Sequence, residues 1–96
     1  MLKNGTATHK IPGGKLVRVD VSYDANAIHS VKITGDFFLH PEEVFEVIVE
    51  LCATTLLPLN KEKLVKEISK LLEDNQAALI GADPIDLVNT LEEAVS

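Results

Sequence analysis

Between residues 16 and 23 the chain alternates strictly, with Val17, Val19, Val21 and Tyr23 on one side and Leu16, Arg18, Asp20 and Ser22 on the other. A period of two is the repeat of an extended chain, so the segment predicts a half-buried β-strand. Asp24 and Asn26 supply turn chemistry in the stretch DANA at 24 to 27, because short polar side chains bond to the backbone of a reversing chain. A second alternating run follows, with Val31 and Ile33 inward against Ser30, Lys32 and Thr34. The two runs predict an antiparallel hairpin, whose apolar face needs helices or a further strand to cover it.

From residue 40 the period changes to that of a helix. His40-Pro41-Glu42-Glu43 reads as a helix start, with proline at the first helical position and two acids at the positive end of the dipole. Val44, Phe45, Ile48, Leu51 and Cys52 then recur on one face, until Pro58 in TTLLPL breaks the run. Asn60 caps a second predicted helix that carries Leu64, Val65, Ile68, Leu71 and Leu72 on one stripe and ends near Asn75. Asp83-Pro84 opens a third, with Asp86 in its first turn and Leu87, Val88, Leu91 and Val95 apolar. Residues 1 to 8, MLKNGTAT, show no periodicity and read as a flexible lead-in to one domain at 9 to 96. Strands first and helices after predict an α+β fold: an antiparallel hairpin or small antiparallel sheet covered by about three helices.

Composition narrows the function. A chain of 96 residues that is 46% apolar holds one core. Cys52 is the only cysteine, so no internal disulfide forms, which fits a reducing, cytoplasmic setting. No apolar run approaches the roughly 20 residues of a membrane span, and no secretory signal is recognisable. Only four residues are aromatic (Tyr23, Phe37, Phe38, Phe45), too few for a base-stacking platform, so nucleic acid is not the expected partner. The net charge of −6 is unevenly spread. Residues 1 to 40 hold five Lys/Arg against three Asp, net +2, and residues 41 to 96 hold four Lys against twelve acids, net −8. A mildly basic region on an acidic protein suits a small anion or an acidic partner better than duplex DNA.

The basic part contains the unusual stretch HKIPGGKL, residues 9 to 16. Gly13 and Gly14 give the backbone freedom to approach a bound anion, and Lys10 and Lys15 add positive charge. The alternative is a structural turn, since no helix follows and no nucleotide-binding glycine motif is present. A second stretch, Thr34-Gly35-Asp36-Phe37-Phe38-Leu39-His40, places a glycine before an acid and two aromatics. It reads either as a bulge leading into the first helix or as an exposed aromatic docking on a partner. His9, His29 and His40 have no metal-ligand spacing with Cys52, so no metal site is expected, and no complete catalytic set is present.

These stretches carry a family resemblance. Residues 9 to 43, HKIPGGKLVRVDVSYDANAIHSVKITGDFFLHPEE, resemble the C-terminal domain of lipoate-protein ligases, most closely the stand-alone small subunit of two-chain archaeal-type ligases. KxPGGKL, the hairpin, GDFF followed by HPEE, and LIGADPIDLV at 79 to 88 occur in family order. The resemblance implies an accessory domain, inactive alone, that forms a heterodimer with a larger catalytic chain. That chain would hold lipoate and ATP-Mg, make lipoyl-AMP and pyrophosphate, and pass the lipoyl group to a lysine of lipoyl-domain proteins. On this reading Gly13, Gly14 and Lys15 face the partner's active site with Lys10 as auxiliary charge, and Asp36, Phe37, Phe38 and His40 are docking candidates. The alternatives are a non-enzymatic protein-interaction module and an isolated C-terminal domain of a fused ligase.

Overall fold

A computed structural model describes every residue of the chain except Gly14. Strands β1 (Lys3–Ile11), β2 (Lys15–Tyr23) and β3 (Ile28–Gly35) form one antiparallel sheet in the order β1-β2-β3. After β3 come β4 (Phe38–His40), α1 (Glu42–Ala53), α2 (Lys61–Asp74), β5 (Ala78–Ile80) and α3 (Pro84–Ala94), with β4 and β5 paired as a separate antiparallel ribbon. The fold is α+β: two small antiparallel sheets and three helices.

The alternation at 16 to 23 sets the layers. Val17 and Val19 are fully buried and Val21 nearly so, under α3, which crosses β1 and β2, and beside α1, which covers β3. Helix α2 packs on α3 and α1 and inserts Leu64 and Ile68 into the same core. Each such fully buried aliphatic side chain contributes about 1.5 to 3 kcal/mol. The hairpin turn is locked by Asp24, whose Oδ1 accepts the amides of Asn26 and Ala27 at 2.8 and 2.9 Å, while Oδ2 lies 2.8 Å from His29 Nε2. These contacts hold the Asp24 carboxyl at about 2, well below its ordinary value, with the Asn26 amide the largest cause. A register shift at Ser22/Tyr23 follows, so Ile28 rather than His29 faces Tyr23.

The helices begin with the expected chemistry. The Asn60 side chain accepts the Lys63 amide at 3.1 Å, and Asp86 accepts the Asp83 amide at 2.8 Å. Pro41 stands at the cap of α1 rather than inside its first turn.

The reading of residues 1 to 8 as a flexible lead-in is corrected, because residues 3 to 8 are most of β1. Its inward positions are Gly5, Ala7, His9 and Ile11, small at one end because α3 comes so near that a Cβ at Gly5 would overlap the Ala94 carbonyl oxygen. Strand β5 is also new, and the hairpin is one part of a larger sheet.

Candidate functional site

Three glycine-bearing stretches far apart in sequence meet at one corner. Strand β1 ends at Ile11, opposite Lys15 at the start of β2, and Pro12 and Gly13 lie in the turn between them. Gly13 has φ +103°, a left-handed conformation that side-chain-bearing residues enter with strain, and it faces open space. Gly14 lies outside the described residues. The second stretch arrives where β3 ends: the Asp36 amide donates to the Leu16 carbonyl at 3.0 Å, and a Cβ at Gly35 would overlap that same oxygen. The third arrives after β5, where Gly81 has φ +92° and a Cβ there would lie 3.4 Å from Phe37 Cα and 3.7 Å from Lys15 Cε. The Lys15 stem therefore runs along Gly81, beside the backbone of Asp36 and Phe37.

The two Phe residues part company at this corner. Phe37 turns inward and packs on Phe45, ring centroids 5.8 Å apart, half-buried at the margin of the core. Phe38 points outward and is 60% exposed. Its cross-strand neighbour is Ile80, 61% exposed, while Leu39 and Leu79, the next pair, point inward. The ribbon thus presents an apolar plate to solvent beside Lys15. The exposed His40 lies opposite Ala78 at the far end of the ribbon. Ile80 is the surface residue that sequence reasoning missed; its signal was present in LIGADPIDLV but needed the pairing with Phe38 to be seen.

Charge at the corner is free to act outward. Neither Lys10 nor Lys15 pairs with a carboxylate among the described residues, and both are exposed. Arg18, farther along β2, is instead engaged by Asp20 at 3.2 Å. A cleft of about 370 Å³ runs behind Phe38, between Gly35 and Phe37 on one side and Glu42, Phe45 and Glu46 on the other. Its two glutamates make that cleft a poor place for an anion, whereas the lysine side of the plate is suited to one.

No group of His, Cys, Asp and Glu placed to hold a metal occurs among the described residues. Cys52 sits on the inner face of α1, where burial pushes its thiol up to about 12 and leaves it unreactive. Among the described residues no helix is long and apolar enough to cross a membrane. The corner offers cations, an apolar plate and close backbone packing, and among the described residues no nucleophile with its base.

No protein-family model matches the sequence, and no curated protein matches it. Among solved structures, the fold is similar to a chain from an archaeal lipoylation system of Thermoplasma acidophilum, a bipartite lipoate protein ligase with its E2 lipoyl domain. The TM-score is 0.66 at 24% identity, and the match covers 95% of this chain and 94% of that one. The likeness is one of fold, taken over nearly the whole of both chains.

Proposed function

We propose that this chain is the accessory component of a lipoate-protein ligase, working with a larger catalytic chain that activates lipoate with ATP and Mg²⁺ before transfer to lipoyl-domain proteins. The observation that carries the reading is the corner itself: two lysines unpaired among the described residues, at a glycine turn beside an exposed apolar pair. The fold likeness to a chain of a bipartite ligase and the order of the KxPGGKL, GDFF and LIGADPIDLV stretches point the same way.

Forming an acyl-adenylate brings a carboxylate onto a phosphate, so two anions must approach. Positive charge held in place at that point lowers the barrier, and more so where water is excluded. In this reading the Phe38–Ile80 plate seats on the larger chain, and Lys15, with Lys10 as auxiliary charge, is thereby presented to the reacting anions. Lipoate, nucleotide and metal are in this reading held by the larger chain. A contribution of about 1.4 kcal/mol from the turn already changes the rate tenfold.

The test is pyrophosphate release from lipoate and ATP by a candidate larger chain, with and without this protein. Stimulation by the added protein, and none by the protein alone, is expected. Release that is unaffected by the addition overturns the reading.

A further inference from the structure

The long outer edge of the sheet is open. Strand β1 pairs only with β2, in unbroken register from Lys3 opposite Tyr23 to Ile11 opposite Lys15. Among the described residues, no backbone hydrogen bond reaches β1 from outside that ladder, and none of its residues is fully buried. An antiparallel edge strand turns about half of its N–H and C=O groups outward. Proteins usually guard such an edge with a proline, a bulge, charged side chains or a covering element. Here the guards stand only at the ends: Lys3 and Lys10 flank the strand and Pro12 falls beyond it, while the β1–β2 register has no bulge and the central residues Asn4 to Thr8 are small and uncharged. Helix α3 supports the inner face, with Ala94 against Gly5 and Glu93 Oε2 3.8 Å from His9 Nδ1.

We propose that β1 is a docking edge, on which an acidic extended segment of the partner adds as a fourth strand and thereby fixes the position of the glycine turn. The identity of that partner as the larger adenylating chain rests on the function proposed above. Charge selects the occupant. Residues 1 to 19 carry Lys3, Lys10, Lys15 and Arg18 and no acid, whereas the remaining residues carry five Lys/Arg against all 15 acids. A second copy of the chain would bring Lys3 and Lys10 of both strands into one seam, with no acid on either strand. A segment with carboxylates near its ends and small residues at its centre matches both the charge and the low relief of β1. Because β1 runs straight into the turn at Pro12 and Gly13, a strand laid along it holds the turn in register with the partner.

The experiment is amide hydrogen exchange on the full chain, alone and mixed with the larger adenylating chain, together with the double variant Lys3→Glu/Lys10→Glu. Both lysines are exposed and without an ion pair among the described residues, so the variant keeps its stability. The expected result is exchange slowed at least tenfold for the outward-facing amides among residues 3 to 11 in the complex. The double variant should bind at least tenfold more weakly at an unchanged melting temperature, and added salt should weaken the wild-type complex. A complex that supports adenylation while β1 exchange is unchanged, with protection confined to 38–40 and 78–80, overturns the docking edge and leaves the accessory reading standing. Absence of both complex and stimulated pyrophosphate release overturns the two together. Self-association of the chain alone with the same protection of β1 assigns the edge to a second copy and overturns the proposal as well.

Discussion

The molecule contains two antiparallel sheets that treat solvent in opposite ways. Apart from Leu16 at one end, the outer face of the large sheet is polar and internally satisfied: Thr6 donates to Asp20 at 2.9 Å, Arg18 to the same carboxylate at 3.2 Å, and Ser22 to Asn4 at 2.9 Å. The small ribbon instead places Phe38 and Ile80 on its outer face, at 60% and 61% exposure, although Leu39 and Leu79 already fill its inner one. A ribbon shaped only by its own fold would carry polar residues there, as the large sheet does. An apolar pair on the outside, next to unpaired lysines, marks a surface shaped for something other than water.

The strongest way to break this contrast is to shorten one side chain on each side of the ribbon. Leu39 is 6% exposed and lies in the core cluster, so Leu39→Ala should cost about 2 to 4 kcal/mol in urea unfolding. Phe38→Ala removes a larger side chain from the outer face and should change stability by no more than about 0.5 kcal/mol, while abolishing or weakening partner binding. Equal destabilisation by the two would show that the plate serves the fold, and the contrast would fall.

The glycines at the corner sharpen it next. Gly35→Ala drives a methyl group into the Leu16 carbonyl, a backbone atom that cannot swing aside, and should cost about 2 to 3 kcal/mol. Gly13→Ala meets open space, so only its positive φ is penalised, by about 1 to 2 kcal/mol. Thermal unfolding of the two variants should preserve that order. A Gly13 variant as unstable as the Gly35 variant would mean that the turn packs on something and is not free for a partner.

Much of this architecture was legible in the sequence. The alternation from Leu16 to Tyr23 showed the β2 face, and Asn60 and Asp83-Pro84 marked two helix starts, because periodicity and caps are local properties. Strand β1 was not legible: the close approach of α3 leaves room only for Gly5 and Ala7 at inward positions, and so removes the apolar signal by which strands are recognised. Strand β5 has only three residues, too few to establish a period. At the site, Lys15 and Gly35 stood out by themselves, yet the meeting of Lys15 with Gly81, and of Phe38 with Ile80, depends on pairing between residues more than forty positions apart, which no local pattern encodes.

Lys15 tests the corner at the next smaller scale. Its side chain is exposed and unpaired among the described residues, so Lys15→Ala should leave the melting temperature unchanged. In the assembled ligase the same change should lower pyrophosphate release about tenfold, equivalent to about 1.4 kcal/mol in the barrier, with complex formation retained. Full activity would remove the lysine from the chemistry while leaving the plate as a docking surface.

The smallest effect concerns acid, and it belongs to the large sheet. Asp24 is held at about 2 by the Asn26 amide, His29 and the Ala27 amide, and Asp20 is lowered by Arg18 and Thr6. A carboxyl whose folded value lies below its unfolded value stabilises the fold above the unfolded value, near 4, and that contribution fades as pH falls toward the folded one. Stability should therefore decline between about pH 4 and pH 2. Asp24→Asn can still accept the two turn amides but cannot titrate, so its unfolding free energy should be flatter across that interval than that of the wild type. Because Asp24 lies in the turn between β2 and β3, on neither the ribbon nor β1, the variant should bind the partner normally at neutral pH. An acid limb unchanged in Asp24→Asn would place the sensitivity elsewhere, and a loss of partner binding would mean that the β2–β3 turn, too, faces the partner.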